Sequence, residues 1–282
     1  MTPLREMPVA VIDFEATDFP GPDAHVCEVA VVHTILGEPE SSRVAFSSLV
    51  RPPVTIPDRV AAIHGIRNED VVDAPTWAEI EAEVAAACMS RAAVVAYNAP
   101  ADYQFFRTEQ GRTGGKTPAW PWLDLLVVRK AVKTRGRPGR LAEIAAEQGI
   151  VLDAHGAAGD AMATALVMTA LLRGAFEAHA VMLNGRRPAT LEGLLEWQRG
   201  AALAQEREFA DYRRRQGDAV APRCDWHQLE GVEAPAWPAA ERTMYCRRCG
   251  GQTRMKIEKD GTVGLYEART AEVHVCEGGG TR

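Results

Sequence analysis

This sequence predicts an α/β layer fold, and three observations carry the prediction. Apolar, β-branched runs fill residues 8–50. Short apolar strands and helix-period segments then alternate, and one late helical stretch is apolar on most of its faces. Hydrophobic residues make up 46% and charged residues 25% of the 282, a balance that lets the chain bury one sizeable core and carry a smaller appendage.

The elements follow in order. PVAVIDF (8–14) reads as a buried strand, and CEVAVVHTIL (27–36) and SRVAFSSLV (42–50) read as a meander joined by a Gly-Glu-Pro-Glu turn. PDRVAAIHG (57–65) is a short helix with Pro57 at its start and Gly65 at its end. TWAEIEAEVAAACMS (76–90) is amphipathic with Thr76 as its cap. The strand AAVVAYN (92–98) leads into a helix opening at Pro100, and RLAEIAAEQG (140–149) stops on Gly149. DAMATALVMTALLRGAFEA (160–178) must be packed on both sides, because it has no polar face to give to water. Past residue 180 the texture changes. A long helix with a charged second half occupies a connector over 181–217, and 218–282 is a Gly-, Pro- and Cys-rich module that needs a staple. The first domain is therefore 1–180.

Composition excludes several classes. No apolar run approaches the roughly 18 residues of a membrane span, and the N-terminal residues lack a secretory h-region, so a cytoplasmic protein without a membrane partner is expected. The net charge of −6 argues against indiscriminate polyanion binding but leaves room for a local basic groove. Arg129, Lys130, Lys133, Arg135, Arg137 and Arg140 form one acid-free run that could make phosphate contacts. GRTGGKT (111–117) looks like a phosphate-binding loop. The G-x4-G-K-[ST] pattern needs glycine where Gln110 stands, and the stretch follows a helix, so a nucleotide triphosphatase is rejected.

The chemistry-bearing residues are acids. In a strand, residues two apart share a face, so Asp13 and Glu15 point together while Phe14 points into the opposite layer. Two carboxylates held together cost free energy unless a proton or cation lies between them, and a hard divalent cation such as Mg²⁺ or Mn²⁺ prefers such oxygen ligands. Asp102, in N-x-P-x-D, falls in a first helical turn after a strand, where ligand sites of α/β sheets gather. His155 and Asp160, in H-x4-D, precede the last apolar helix, with Gly156 and Gly159 between them.

In this order, D-x-E, N-x-P-x-D and H-x4-D resemble the three exonuclease motifs of the DnaQ-like (DEDDh) 3′–5′ exonuclease superfamily. The segment Ile63–His64–Gly65–Ile66 and the stretch from Arg140 to Leu172 look like that family too, and the resemblance covers about residues 8–175. It implies an RNase H-like mixed central sheet flanked by helices. It also implies hydrolysis of nucleic acid, DNA foremost and RNA as the alternative, from the 3′ end to nucleoside monophosphates. By resemblance, Asp13, Glu15, Asp102 and Asp160 would hold two Mg²⁺ or Mn²⁺ ions about 4 Å apart, and His155 would be the general base. The backbone at Ala16 and Thr17 would grip the terminal nucleotide, Phe19 would wedge against its base, and Asn98 would position the scissile strand. His64 either caps a loop or touches substrate. Ala16 and Asp18 stand where the family often has Thr and Gly.

Four of the six cysteines lie in the last quarter of the chain. Cys224 and His227 (C-x2-H) with Cys246 and Cys249 (C-x2-C) fit a tetrahedral structural zinc, and Cys276 is an alternative ligand. A polymerase or repair protein is the partner this module brings to mind, and an adaptor acting through the module is the rival function. The intact set of four acids and His155 counts against the rival, since a pure binder has no need of it.

Overall fold

The computed structural model describes residues 2–132, 139–151 and 156–215, and the backbone of three short strands between 243 and 267. The described chain divides into two units. The first takes in the residues up to Gln205; the second begins at Glu206 and includes the three strands.

In the first unit, β1 (Pro8–Ala16), β2 (Val26–Ile35), β3 (Glu38–Leu49), β4 (Ala93–Ala96) and β5 (Trp122–Asp124) form one sheet in the order β3-β2-β1-β4-β5. The meander β1–β2–β3 is antiparallel, while β4 and β5 join parallel to β1, which makes the sheet mixed. The turn between β2 and β3 is tighter than the Gly-Glu-Pro-Glu turn expected, because β3 already begins at Glu38. Gly37 makes this close turn: its N–H donates to Arg5 O at 2.7 Å, and a Cβ there would stand 2.5 Å from that oxygen.

The helices are α1 (Asp58–His64), α2 (Trp77–Met89), α3 (Ala99–Thr113), α4 (Leu125–Val132), α5 (Leu141–Glu147), α6 (Ala157–Glu177) and α7 (Leu191–Arg215). Gly65 ends α1 in the left-handed region, φ 80°, a conformation that favours glycine. At the start of α2, Glu79 accepts hydrogen bonds from both N–H and hydroxyl of Thr76. The apolar helix α6 packs on β1, β2 and β3 and also on α4 and α5, as its lack of a polar face requires. Residues 191–205, expected within a connector, belong to the first unit: Leu194 and Gln198 are fully buried, and Trp197 joins the core under α6.

Alternation along β1 sorts its side chains. Val9 and Val11 enter the core shared with α6. Phe14 faces the other layer, with ring centroids 6.1 Å from both Trp77 on α2 and Phe105 on α3. Phe106 completes that layer between Trp77 and Trp120 and is itself fully buried. Each partner is set by the rings around it, so the layer fixes α3 against β1.

In the second unit, β6 (Thr243–Tyr245), β7 (Gln252–Ile257) and β8 (Val263–Glu267) form an antiparallel sheet in that order. Among the described residues no helix is long and apolar enough to cross a membrane.

Phe106→Ala is expected to lower the unfolding free energy by about 3–5 kcal/mol, as for other buried aromatic truncations. Urea titration of both proteins measures it, and a loss under 1 kcal/mol would mean the aromatic layer is not tightly packed.

Candidate active site

Three elements bring the acids together. Asp13 and Glu15 lie on β1, Asp160 in the first turn of α6, and Asp102 in the first turn of α3. Carboxylate oxygens of Asp13, Glu15 and Asp160 all lie within 4.8 Å of one another. Asp102 is buried beside them, close enough for its charge to act on Asp13.

The electrostatics are those of charges forced together. Burial, then the charges of Asp102, Glu15, Asp160 and Glu28, push the Asp13 carboxyl well above the usual carboxylate range. Burial, with Asp160 and Glu28, raises Glu15 to about 7. Burial also raises Asp102, with Asp124 and Glu15 adding to it. Such a donor set of hard oxygens, repelling and partly desolvated, fits a divalent cation.

Two supporting acids escaped the sequence reading. Glu28 faces Glu15 across the β1–β2 pair, and its carboxylate accepts the Ala157 N–H, 2.8 Å away, at the start of α6. Asp124 ends β5 and is buried; its carboxylate accepts the N–H groups of Leu126 and Val127. Burial raises Asp124 to about 7 despite these donors. The only sequence signal for either was a lone acid in an apolar run.

After Glu15 the β1–β2 register shifts, and the chain leaves the sheet in a loop. The N–H of Thr17 donates to His25 O (2.8 Å), and its hydroxyl accepts the His25 N–H (3.0 Å). Thr17 therefore closes the loop, its N–H and hydroxyl both engaged with the His25 backbone. His64 is buried under the same loop. Its Nδ1 accepts the Ile66 N–H, which leaves Nε2 as the protonated nitrogen, 3.9 Å from Cys27 Sγ, and burial lowers its pKa. Of the two roles expected for His64, the geometry serves loop capping. Glu109 on α3 accepts the Val26 N–H and pairs with Arg112, which in turn donates to Pro22 O and Ala24 O. Asp18 pairs with Arg59 of α1 at 2.6 Å and accepts the Phe19 N–H. The loop thus presents Phe19 to solvent, 82% exposed. Asn98 is exposed at the N-terminal boundary of α3.

Arg129, counted in the basic run, is buried and pairs with Glu147, so it is removed from any phosphate path. Lys133, Arg135 and Arg137 lie outside the described residues, as do His155 and the zinc candidates Cys224, His227, Cys246, Cys249 and Cys276.

The exonuclease family model RNase_T matches residues 10–168, more than half of the chain. The chain belongs to the DnaQ-like 3′–5′ exonuclease superfamily. Its domain is that of a metal-dependent exonuclease, and the mixed sheet with flanking helices is the RNase H-like fold. The chain is 31% identical over 175 residues to a DNA polymerase III subunit epsilon-like protein of Rhodobacter capsulatus, covering 61% of this chain and 24% of that one. It is 28% identical over 177 residues to an uncharacterized exonuclease of Escherichia phage 186, covering 58% of this chain and 87% of that one. The chain thus spans about a quarter of the first relative and most of the second. Among solved structures, Exonuclease X in complex with 5′ overhanging duplex DNA aligns with a TM-score of 0.50 and 18% identity, over 67% of this chain and 99% of that one. The nuclease domain of 3′hExo, a DEDDh family member bound to rAMP, aligns with a TM-score of 0.51 and 17% identity, over 62% and 94%. At these identities the structural likeness is one of fold.

The exonuclease domain's acids set a pH dependence. Glu15 has a folded pKa of about 7 against its ordinary 4.5, so its contribution to the stability of the metal-free protein is complete below 4.5 and lost as pH rises through about 7. Glu15→Gln removes that loss. In chelator at pH 8 the variant is expected to be more stable than the parent by about 1–3 kcal/mol, with the gain vanishing at pH 4.5. Paired denaturant melts at the two pH values measure this; no gain at pH 8 would mean the repulsion is absent.

Proposed function

We propose that this protein is a 3′–5′ exonuclease that releases nucleoside monophosphates from nucleic-acid 3′ ends by two-metal hydrolysis, with DNA the preferred substrate. The observation that carries the reading is the convergence of Asp13, Glu15 and Asp160 within 4.8 Å of one another, with Asp102 beside them. These four carboxylates would hold Mg²⁺ or Mn²⁺. When bound, the ions supply positive charge that favours a water-derived nucleophile and steadies the leaving 3′-oxygen.

The chain's own residues do the rest. His155, five residues before Asp160, takes the proton from the attacking water, a task for a group titrating near neutrality. Phe19 offers an exposed ring against the terminal base, and the Asp18–Arg59 pair holds the loop that carries it. Ala16, backed by His64, lines the nucleotide side of that loop, and Asn98 orients the strand at the head of α3. DNA is placed first on the likeness to the epsilon-like protein and to Exonuclease X with its DNA; the rAMP-bound relative makes RNA the alternative. The epsilon-like relative also supports a polymerase or repair protein as partner. The free, buried thiols Cys27 and Cys88 accord with a cytoplasmic setting.

Asp160→Ala is expected to abolish metal-dependent shortening of 3′-end single strands, a loss of at least about a thousandfold, with an unchanged far-UV spectrum. Matched DNA and RNA strands with free or blocked 3′ ends assign the sugar preference in the same assay. Turnover that survives the substitution would sink the mechanism.

The C-terminal module is proposed to hold one structural zinc on Cys224, His227, Cys246 and Cys249, with Cys276 as substitute. Both cysteines of C-R-R-C fall in sequence between Tyr245 and Gln252, which pair across β6 and β7, and C-x2-C is a spacing that suits zinc. Elemental analysis of native protein is expected to find about one zinc per chain, and less than about half an equivalent removes the staple.

A further inference from the structure

We propose that Gln198 is a positioning residue for this reaction. From a helix beyond the family's matched residues, it stands in for a sixth strand at the β5 edge and through Asp124 fixes the start of α3, and with it Asp102. The inference rests on the two-metal reading of the acids.

The family match ends at residue 168, and α7 begins at Leu191. β5 is three residues long and pairs with β4 on one side, which would leave its other edge with unmet backbone groups. Gln198 meets them. Its side-chain carbonyl accepts the Asp124 N–H at 2.7 Å, and its amide nitrogen donates to Trp122 O at 2.9 Å. A carboxamide carries one acceptor and donors in one plane, the same pair of groups that a neighbouring strand would present. Gln198 is 0% exposed, so water cannot replace it. About two turns further on, at the end of the first unit, Gln205 donates to Val127 O at 2.9 Å and ties α7 to α4 as well.

What Gln198 holds is the residue that holds the site. With its backbone fixed by Gln198, Asp124 turns its carboxylate to the N–H groups of Leu126 and Val127, and the Leu126 N–H also donates to Tyr97 O at 2.9 Å. Tyr97 stands two residues before Ala99, the first residue of α3, and Asp102 lies in that helix's first turn. A displacement of Asp124 therefore moves the first turn of α3 relative to β1, and small misplacements of reacting groups are costly in rate.

The test compares three full-length variants with the parent. Gln198→Met keeps the volume and removes both hydrogen bonds. Gln198→Glu keeps the acceptor for the Asp124 N–H. Leu194→Ala weakens the same helix at a fully buried apolar position outside the brace. Three readouts are taken: amide hydrogen exchange across 99–106 and 122–127, Mn²⁺ binding by calorimetry without nucleic acid, and kcat and KM on a 3′-labelled strand. For Gln198→Met, exchange at both segments and the Mn²⁺ dissociation constant are expected to rise about tenfold, and kcat to fall about ten- to a hundredfold with KM within about threefold. Gln198→Glu is expected to recover most of kcat, and Leu194→Ala to lower the melting temperature while leaving the other readouts within about twofold. A folded Gln198→Met with parental exchange and Mn²⁺ binding overturns the brace, as does Leu194→Ala changing kcat as much as Gln198→Met. If Gln198→Met fails to fold, Gln198→Glu decides, since failure to keep parental exchange at Ala99 and Asp124 overturns the role of the acceptor. A parent that shortens no strand defeats the proposed function alone, because exchange and Mn²⁺ binding still judge the brace.

Discussion

Mutual repulsion among buried carboxylates is the constraint that the rest of this structure serves. Asp13, Glu15, Asp102 and Asp160 come from β1, α3 and α6, so no local sequence preference holds them together. Left to themselves, like charges at such distances would part or take up protons. Burial first, and then that repulsion, raise the pKa values of Asp13, Glu15 and Asp102. Rigid packing on both faces of β1 resists it. Val9 and Val11 are locked into the core with α6, and Phe14 is locked among Trp77 and Phe105. Each such burial is worth about 1.5–3 kcal/mol, comparable with the electrostatic cost, so neither the strand nor the helices need give way.

A second device recurs at the helix starts. Both helices that carry site acids have their starts tied to the sheet through a carboxylate: Glu28 of β2 takes the Ala157 N–H of α6, and Asp124 of β5 takes the Leu126 N–H, which also donates to Tyr97 O just before α3. A helix N-terminus has orphan donors and a partial positive charge, so an acid is a natural anchor there. The anchors also add to the negative field. Glu28 pushes up Asp13 and Glu15, and Asp124 pushes up Asp102. Fixing the helices by acids thus increases the need for a cation in the middle. Stability and metal demand are set by the same side chains.

The sequence showed the acids better than it showed their supports. Asp13 and Glu15 were legible because period-two alternation places them on one face, and Asp102 and Asp160 because glycine and proline mark the helix starts around them. The sheet class followed from apolar runs and their spacing. Glu28, Asp124 and Gln198 were illegible as site supports, since their partners are fixed by strand register and by contacts 74 or more residues away. The local partners of Thr17 and His64 were hidden for a similar reason. A polar residue near a site looks like a substrate contact until its hydrogen bonds are counted, and theirs close the loop below Ala16. Arg129 lost its place in the basic run because its burial depends on Glu147 of a different helix.

Asp18 shows how a departure from a family pattern can be absorbed. Where the family often has glycine, a residue with free backbone rotation, this chain has an acid that takes the Phe19 N–H and reaches Arg59. Burial plays no part in this pair, and an exposed ion pair contributes little to folding. Its effect is on direction. Phe19 is the most solvent-exposed aromatic side chain near the acids, and a ring held only by a glycine hinge would sweep a wide arc. With Asp18 tied to α1, and Arg112 tied to Pro22 O and Ala24 O, the loop is fastened at both ends. Conformational entropy of the loop has thus already been removed by the fold.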